Sequence, residues 1–268
     1  MNLETGRVGN TFPGVNVLTY VYALVRAERR PPLRVLPGAM PGGGPVRLVA
    51  PAAGLWLAVS TVPAQAYDEA ALEAGLQDMD WLGPRAIAHE AVVEHFLACP
   101  ALLPMQLFTL FKTDDRAVEH VVRTQPEIER ILGRVERHAE WGLRLTWDEQ
   151  AARLAAEARH ADGGAASGAG YLARKRDLLD VRRTEWTAAR TAAEQLYEAL
   201  EEEAAAARRH SKTEEAAPHS RVLLDAAFLV RTDKADAFHE LLERQESSLA
   251  RSGIVASFTG PWPPYNFV

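Results

Sequence analysis

Three prolines, Pro261, Pro263 and Pro264, fall within the last eight residues of this 268-residue chain. Each fixes φ and removes a backbone donor, so the segment neither extends a helix nor sits inside a sheet. Trp262, Tyr265 and Phe267 stand among them. Fully burying one such side chain is worth about 1.5–3 kcal/mol. A stiff segment loses little entropy on docking, so two buried rings suffice to hold it. The tail must therefore pack on its own protein or on a partner. It leaves directly from an expected strand, Ile254 to Phe258, and this favours docking on its own chain as a strap between domains.

The rest of the composition bounds the class. An apolar fraction of 47% and a charged fraction of 25% are those of a soluble globular protein, long enough for one large or two modest domains. A net charge of −6 argues against a nucleic-acid surface. The single cysteine, Cys99, excludes an intramolecular disulfide and fits a reducing cytoplasm. Met1 to Asn10 has no basic start followed by an apolar core, so no secretory signal is expected. The richest apolar stretch, Ala98 to Phe111, is interrupted by Pro100 and Pro104 and cannot span a bilayer.

Period and punctuation give the organisation. Leu18 to Val25 is β-branched and aromatic, as a buried strand is. A Pro/Gly loop, Pro37 to Pro45, precedes a hairpin of Val46–Ala50 and Leu55–Val62 around Pro51-Ala52-Ala53-Gly54. Asp68 caps a helix to about Asp78, and Pro84 opens another that ends near Cys99. Leu103 to Phe111 reads as a strand. Thr113 or Asp114 then caps a helical stripe of Val118, Val121, Val122, Ile128, Ile131, Leu132 and Val135, interrupted at Pro126. Glu140 to Trp147 alternates as a strand, with Trp141, Leu143, Leu145 and Trp147 on one face. Asp148 caps a short helix that ends in the glycine run Gly163 to Gly170. A long helix, about Tyr171 to Arg209, carries a seam of Leu172, Leu179, Trp186, Ala193 and Leu200, joined by Ala189 and Leu196. The seam packs on its own domain or pairs with a partner helix. The charged tract Glu201–Glu215 leads to a loop at Pro218. Val222–Val230 is a strand, Asp233 caps a helix ended by Gly253, and Ile254–Phe258 is the last strand.

From Leu103 onward the order is strand, helix, strand, a long insertion, strand, helix, strand. Without the insertion, about Asp148 to His219, this is a split βαβ pattern. The fold class is therefore α+β with two domains. Residues 1–100 form an N-terminal α+β domain. Residues 101–268 form a ferredoxin-like βαββαβ sandwich with a helical insertion at 148–219 and a proline-aromatic tail at 259–268.

Candidate chemistry is sparse. His89-Glu90 lacks a second histidine at i+4, since His95 lies six positions on and on another face. The remaining histidines form no spaced set with cysteine, so no local metal site is expected. Gly42-Gly43-Gly44 lacks the Gly-Lys-Ser/Thr of a phosphate loop, and Gly163 to Gly170 lacks a dinucleotide fingerprint. Cys99 has no nearby basic residue to activate it. No cofactor and no catalysis are expected.

The blocks together resemble the GvpF/GvpL gas vesicle proteins, almost end to end. They are Tyr20 to Val25, Ala88-His89-Glu90, Leu103-Pro104-Met105 with Thr109 and Phe111, Glu140 to Leu145, Gly170-Tyr171-Leu172, Ala226 to Val230, and above all Thr259 to Phe267. The chain departs from the family's usual Arg, Phe and Gly at Gln106, Leu107 and Phe108, and has Asp225 where Asn is frequent. The resemblance implies two α+β domains, the second modified ferredoxin-like with a variable insertion. It implies a non-enzymatic accessory or minor structural protein of gas vesicles. Such a protein would act in the cytoplasm and at the vesicle, binding the very hydrophobic major shell protein, assisting its assembly, and meeting other accessory proteins. Gln106, Phe108, Trp141, Trp262, Tyr265 and Phe267 are the candidates for partner binding or for the strap. The alternatives are a ferredoxin-like small-molecule-binding protein and a scaffold using the Leu172–Leu200 seam.

Overall fold

The computed structural model describes residues 16–33, 39–152, 154, 170–210 and 220–268, with the backbone alone for 170–182. The chain forms two compact units, Met1–Gly133 and Arg134–Val268. Each is built on an antiparallel sheet.

The first unit opens with β1 (Val17–Arg26), whose run of β-branched and aromatic residues is almost wholly buried. β2 (Arg47–Ala52) and β3 (Leu55–Pro63) form the expected hairpin. Short α1 (Ala64–Tyr67) precedes α2 (Glu69–Gly75), where the Asp68 carboxylate accepts from the Ala71 N–H. α3 (Met79–Glu94) begins at Asp78, earlier than Pro84 predicts, because the Asp78 carboxylate caps it by accepting from the Asp80 N–H. Pro84 lies inside the helix, where the expected start is corrected by this upstream cap.

The stretch Leu103–Phe111 is not one strand. It forms β4 (Ala101–Pro104) and β5 (Leu110–Phe111), separated by a loop, and both pair with β1. The sheet order is β2-β3-β1-β4, with β5 also on β1. A boundary near Pro100 would cut these strands from their partner, and the units instead divide between Gly133 and Arg134. α4 (Asp114–Arg123) is capped by Thr113, and α5 (Gln125–Val135) abuts it, with Pro126 in its first turn. Ala117, Val121, Ile128 and Leu132 are buried, whereas Val122 is exposed.

The second unit contains β6 (His138–Asp148), α6 (Gly170–Glu203), β7 (Ala206–Arg209), β8 (Ser220–Arg231), α7 (Ala235–Arg251) and β9 (Ile254–Trp262). Its sheet order is β7-β8-β6-β9. The stretch read as an insertion thus supplies β7, a strand of the sheet, and α6, which packs on the sheet. β7 carries no strand signal in the sequence, because Ala206-Ala207-Arg208-Arg209 has no apolar alternation. It is fastened to α6 by Arg209, whose guanidinium lies 3.7 Å over the Tyr197 ring and grips Glu194 with two bonds.

Side-chain alternation places both helices on one sheet face. Leu143, Leu145 and Trp147 of β6, Leu224, Ala226 and Phe228 of β8, and Ile254 of β9 share a core with Leu196 and Leu200 of α6 and Phe238, Leu242 and Leu249 of α7. Asp148 caps the next helical turn by accepting from the Gln150 and Ala151 N–H groups. Asp233 is no helix cap: it pairs with Arg231 inside a short 3-10 turn before α7. Gly253 (φ +72°) ends α7, where an added Cβ would lie 2.5 Å from Ala152. The Gly163–Gly170 run before Gly170, the Met1–Asn10 start and the Pro218 loop lie outside the described residues.

Candidate functional site

Sequence-predicted candidates fall into two constellations, one in each unit. In the second unit, β6 turns Glu140, Gly142, Arg144 and Thr146 to the face opposite its helices, since the alternate residues enter the core. After β9 the chain turns back over this face. Within β9, Gly260 allows the bulge that sets Trp262 opposite Glu140: its φ is +129°, and a Cβ there would meet the Glu140 carbonyl oxygen and the Trp141 ring at 2.9 Å. The 3-10 turn Tyr265–Phe267 then delivers Asn266 to Glu140.

The carboxylate of Glu140, 6% exposed, accepts from the Asn266 backbone N–H at 2.8 Å and its amide Nδ2 at 2.6 Å. Burial pushes the Glu140 carboxyl above the usual glutamate range; the Asn266 bonds, and then the nearby His210 and Arg208, pull it back. The Asn266 Oδ1 faces His210 Nε2 at 3.3 Å, and His210 Nδ1 faces Asp225 Oδ1 at 2.9 Å. Each ring nitrogen thus stands against a side-chain oxygen. Arg144 approaches Asp225 at 3.7 Å. A polar chain, Glu140–Asn266–His210–Asp225–Arg144, therefore links the tail to β6, to β8 and to the segment following β7.

Around this clasp the tail's aromatics separate by role. Phe267 is buried, as are Pro263 and Pro264, and the Phe267 carbonyl accepts from Arg134. Trp262 and Tyr265 are each 39% exposed. Trp141 lies on the helix side, stacked on Phe258 at 5.0 Å with the rings 5° from parallel, and His239 stands edge-on to both. The tail thus docks on its own unit through Phe267 and Asn266 and presents Trp262 and Tyr265 outward.

Gln106 and Phe108 lie in the loop between β4 and β5 of the first unit. Gln106 is exposed, and its carbonyl accepts from the Thr109 N–H and hydroxyl. Phe108 has φ +67°, a conformation that favours glycine, and glycine is what the family resemblance expects there. Its ring lies 5.5 Å from Trp81, and its N–H donates to the Tyr20 hydroxyl. That hydroxyl donates to His89 Nδ1 at 2.8 Å, and His89 Nε2 donates to the Met105 carbonyl at 3.1 Å. Burial drives the His89 imidazole down to about 4, opposed by its bond to Met105. His89 is thereby a neutral pin that holds both ends of the 105–109 loop.

The described half of the α6 seam is internal. Ala189, Ala193, Leu196 and Leu200 are buried in the sheet core, and Trp186 packs edge-on to Trp147 at 5.3 Å. The side chains of Leu172 and Leu179 lie outside the described residues. Among the described residues no cluster of histidine, cysteine, aspartate and glutamate could hold a metal ion, and no helix is long and apolar enough to cross a membrane. Sequence reasoning gave Glu140, Asn266 and His210 no role. No local signal marked them: Glu140 stands at the polar phase of the alternating strand, as Arg144 and Thr146 do.

The fold has counterparts. Residues 18–268 match the family model described as gas vesicle synthesis protein GvpL/GvpF. Gas vesicle protein L of Streptomyces sp. (strain CB03234) is 32% identical over 256 residues, covering 93% of this chain and 92% of that protein. Gas vesicle protein F2 of Halobacterium salinarum is 40% identical over 48 residues, covering 18% of this chain and 21% of that protein. The crystal structure of GvpF from Anabaena sp. PCC7120 superposes with a TM-score of 0.64 at 14% identity, covering 94% of this chain and 95% of that one. GvpF from Microcystis aeruginosa gives 0.62 at 13% identity, covering 93% and 98%. At such identities the crystal structures speak to fold alone, while the family model and the Streptomyces relative span nearly the whole chain. On that basis the chain belongs to the GvpL/GvpF family of gas vesicle proteins.

Proposed function

We propose that this protein is a non-enzymatic accessory or minor structural protein that binds the hydrophobic major shell protein of the gas vesicle and assists its assembly, acting in the cytoplasm and at the vesicle. Family membership supports a gas-vesicle role. The observation that carries the binding reading is the tail, held down by Asn266 and Phe267 while Trp262 and Tyr265 remain open to solvent. Such rigid aromatics lose little entropy when they meet an apolar partner. A shell subunit that buries its apolar surface only on assembly needs a soluble holder beforehand. The second unit, with its strand–helix–strand–strand–helix–strand order, is read as a modified ferredoxin-like sandwich in which α6 is the first helix. In this reading Phe267 is the strap residue, Trp262 and Tyr265 are contact residues, and Trp141 supports the strand beneath them.

Co-expression and pull-down against each shell-type protein of the same organism tests the proposal. Capture of the shell protein is expected, reduced at least tenfold by Trp262→Ala with Tyr265→Ala while the melting temperature stays within a few degrees. No capture by the native chain would overturn the proposal. Undiminished capture by the double variant would move the contact elsewhere on the molecule.

A further inference from the structure

The sheets offer few unprotected edges. β7 is four residues long and ends in Arg208-Arg209. β2 begins at Arg47, contains Pro51 and has an irregular register before Ala52. β4 is four residues long. Short strands, charge, proline and bulges are the usual means of keeping a sheet edge from pairing with another chain. β9 uses none of these between Ile254 and Thr259. Its pairing with β6 is regular over that stretch, and its irregularity is confined to the end beyond Thr259. The six residues Ile254-Val255-Ala256-Ser257-Phe258-Thr259 carry no charge. Among the described residues no strand lies on the other side of β9. Val255 is 55% exposed, and Ser257 and Thr259 are exposed.

We propose that the β9 edge pairs with β9 of a second copy of this chain, antiparallel about a two-fold axis at Ser257. Two arguments select a second copy. An edge strand meets its own like charges when it pairs with itself, and this one has none to meet. The register at Ser257 also sets small Ala256 against large Phe258 on the helix side, and two β-branched residues, Val255 and Thr259, against each other on the opposite side. β-branched and aromatic residues such as Val255, Thr259 and Phe258 suit a pleated surface packed against cross-strand neighbours. The arrangement joins two four-stranded sheets into one of eight. On the face opposite the helices Ser257 pairs with Arg144 of β6, and Arg144 already faces Asp225. One short strand pair buries less than a standard interface, so the association is weak and concentration-dependent.

Sedimentation equilibrium from low to high micromolar concentration reads the outcome directly. The native chain is expected to reach twice the monomer mass. Ser257→Lys and Ser257→Glu place like charges on the axis, and each alone is expected to stay at monomer mass with an unchanged circular dichroism spectrum. Mixed in equal amounts, they are expected to recover the doubled mass, which a folding defect would not permit. A native chain that stays monomeric throughout overturns the proposal. So does a dimer indifferent to both substitutions.

Discussion

Asn266 closes on Glu140 with two hydrogen bonds, from its backbone N–H at 2.8 Å and from its amide at 2.6 Å. Asn266→Ala removes one donor from a buried carboxylate and leaves it under-satisfied. A hydrogen bond to a charged group is worth about 1.5–3 kcal/mol. Loss of that order is expected in denaturant unfolding, together with faster amide exchange at Tyr265 to Phe267. Unchanged exchange there would show that Phe267 burial alone holds the tail.

Glu140 also gives the second unit a pH dependence. Its carboxyl is raised in the folded state, so between the usual glutamate range and that raised value the folded chain binds more protons than the unfolded one. This contribution to stability is complete below the unfolded value and lost as pH rises through the folded value. Hydrogen exchange along β6 and β9 is expected to report falling protection over that window, and Glu140→Gln is expected to abolish the slope.

His89 acts in the opposite sense in the first unit. Its pKa falls from 6.5 to about 4, so the unfolded chain binds the extra proton between those values. Its contribution is present above the unfolded value and lost as pH falls toward about 4, by about 3 kcal/mol at most. Exchange at β1 is expected to accelerate over that range in the native chain, and a flat profile in His89→Gln confirms the source.

Phe108 tests the cost of its left-handed backbone. Phe108→Ala and Phe108→Gly both lose the ring against Trp81, but only glycine relieves φ +67°. The glycine variant is expected to be more stable than the alanine variant by about 1 kcal/mol in thermal unfolding. Equal stabilities would mean that the loop relaxes.

Leu200 tests the seam. It is fully buried in the sheet core, so Leu200→Ala is expected to cost about 2–5 kcal/mol of stability. If α6 served chiefly to pair with another chain through this residue, the variant would instead change oligomer mass with little loss of stability.

Local chemistry was legible in the sequence wherever one residue type decides one local outcome. Asp68, Thr113 and Asp148 cap helical segments as their side chains require. Gly253 ends α7 in a left-handed conformation, and the alternation of Glu140–Trp147 chose the buried face of β6. The proline-aromatic tail marked the family and the need to dock. Partner choice was not legible, because pairing depends on strands far apart in the chain. The residues 101–111 joined β1 in the first sheet, and β7 formed despite its Ala-Arg composition because β8 offered an edge and α6 a ring for Arg209. The clasp belongs to the same category. Asn266 and Glu140 lie 126 positions apart, and only the pairing of β9 with β6 and the 3-10 turn that follows Trp262 bring a tail amide over a carboxylate that strand alternation had already turned away from the core.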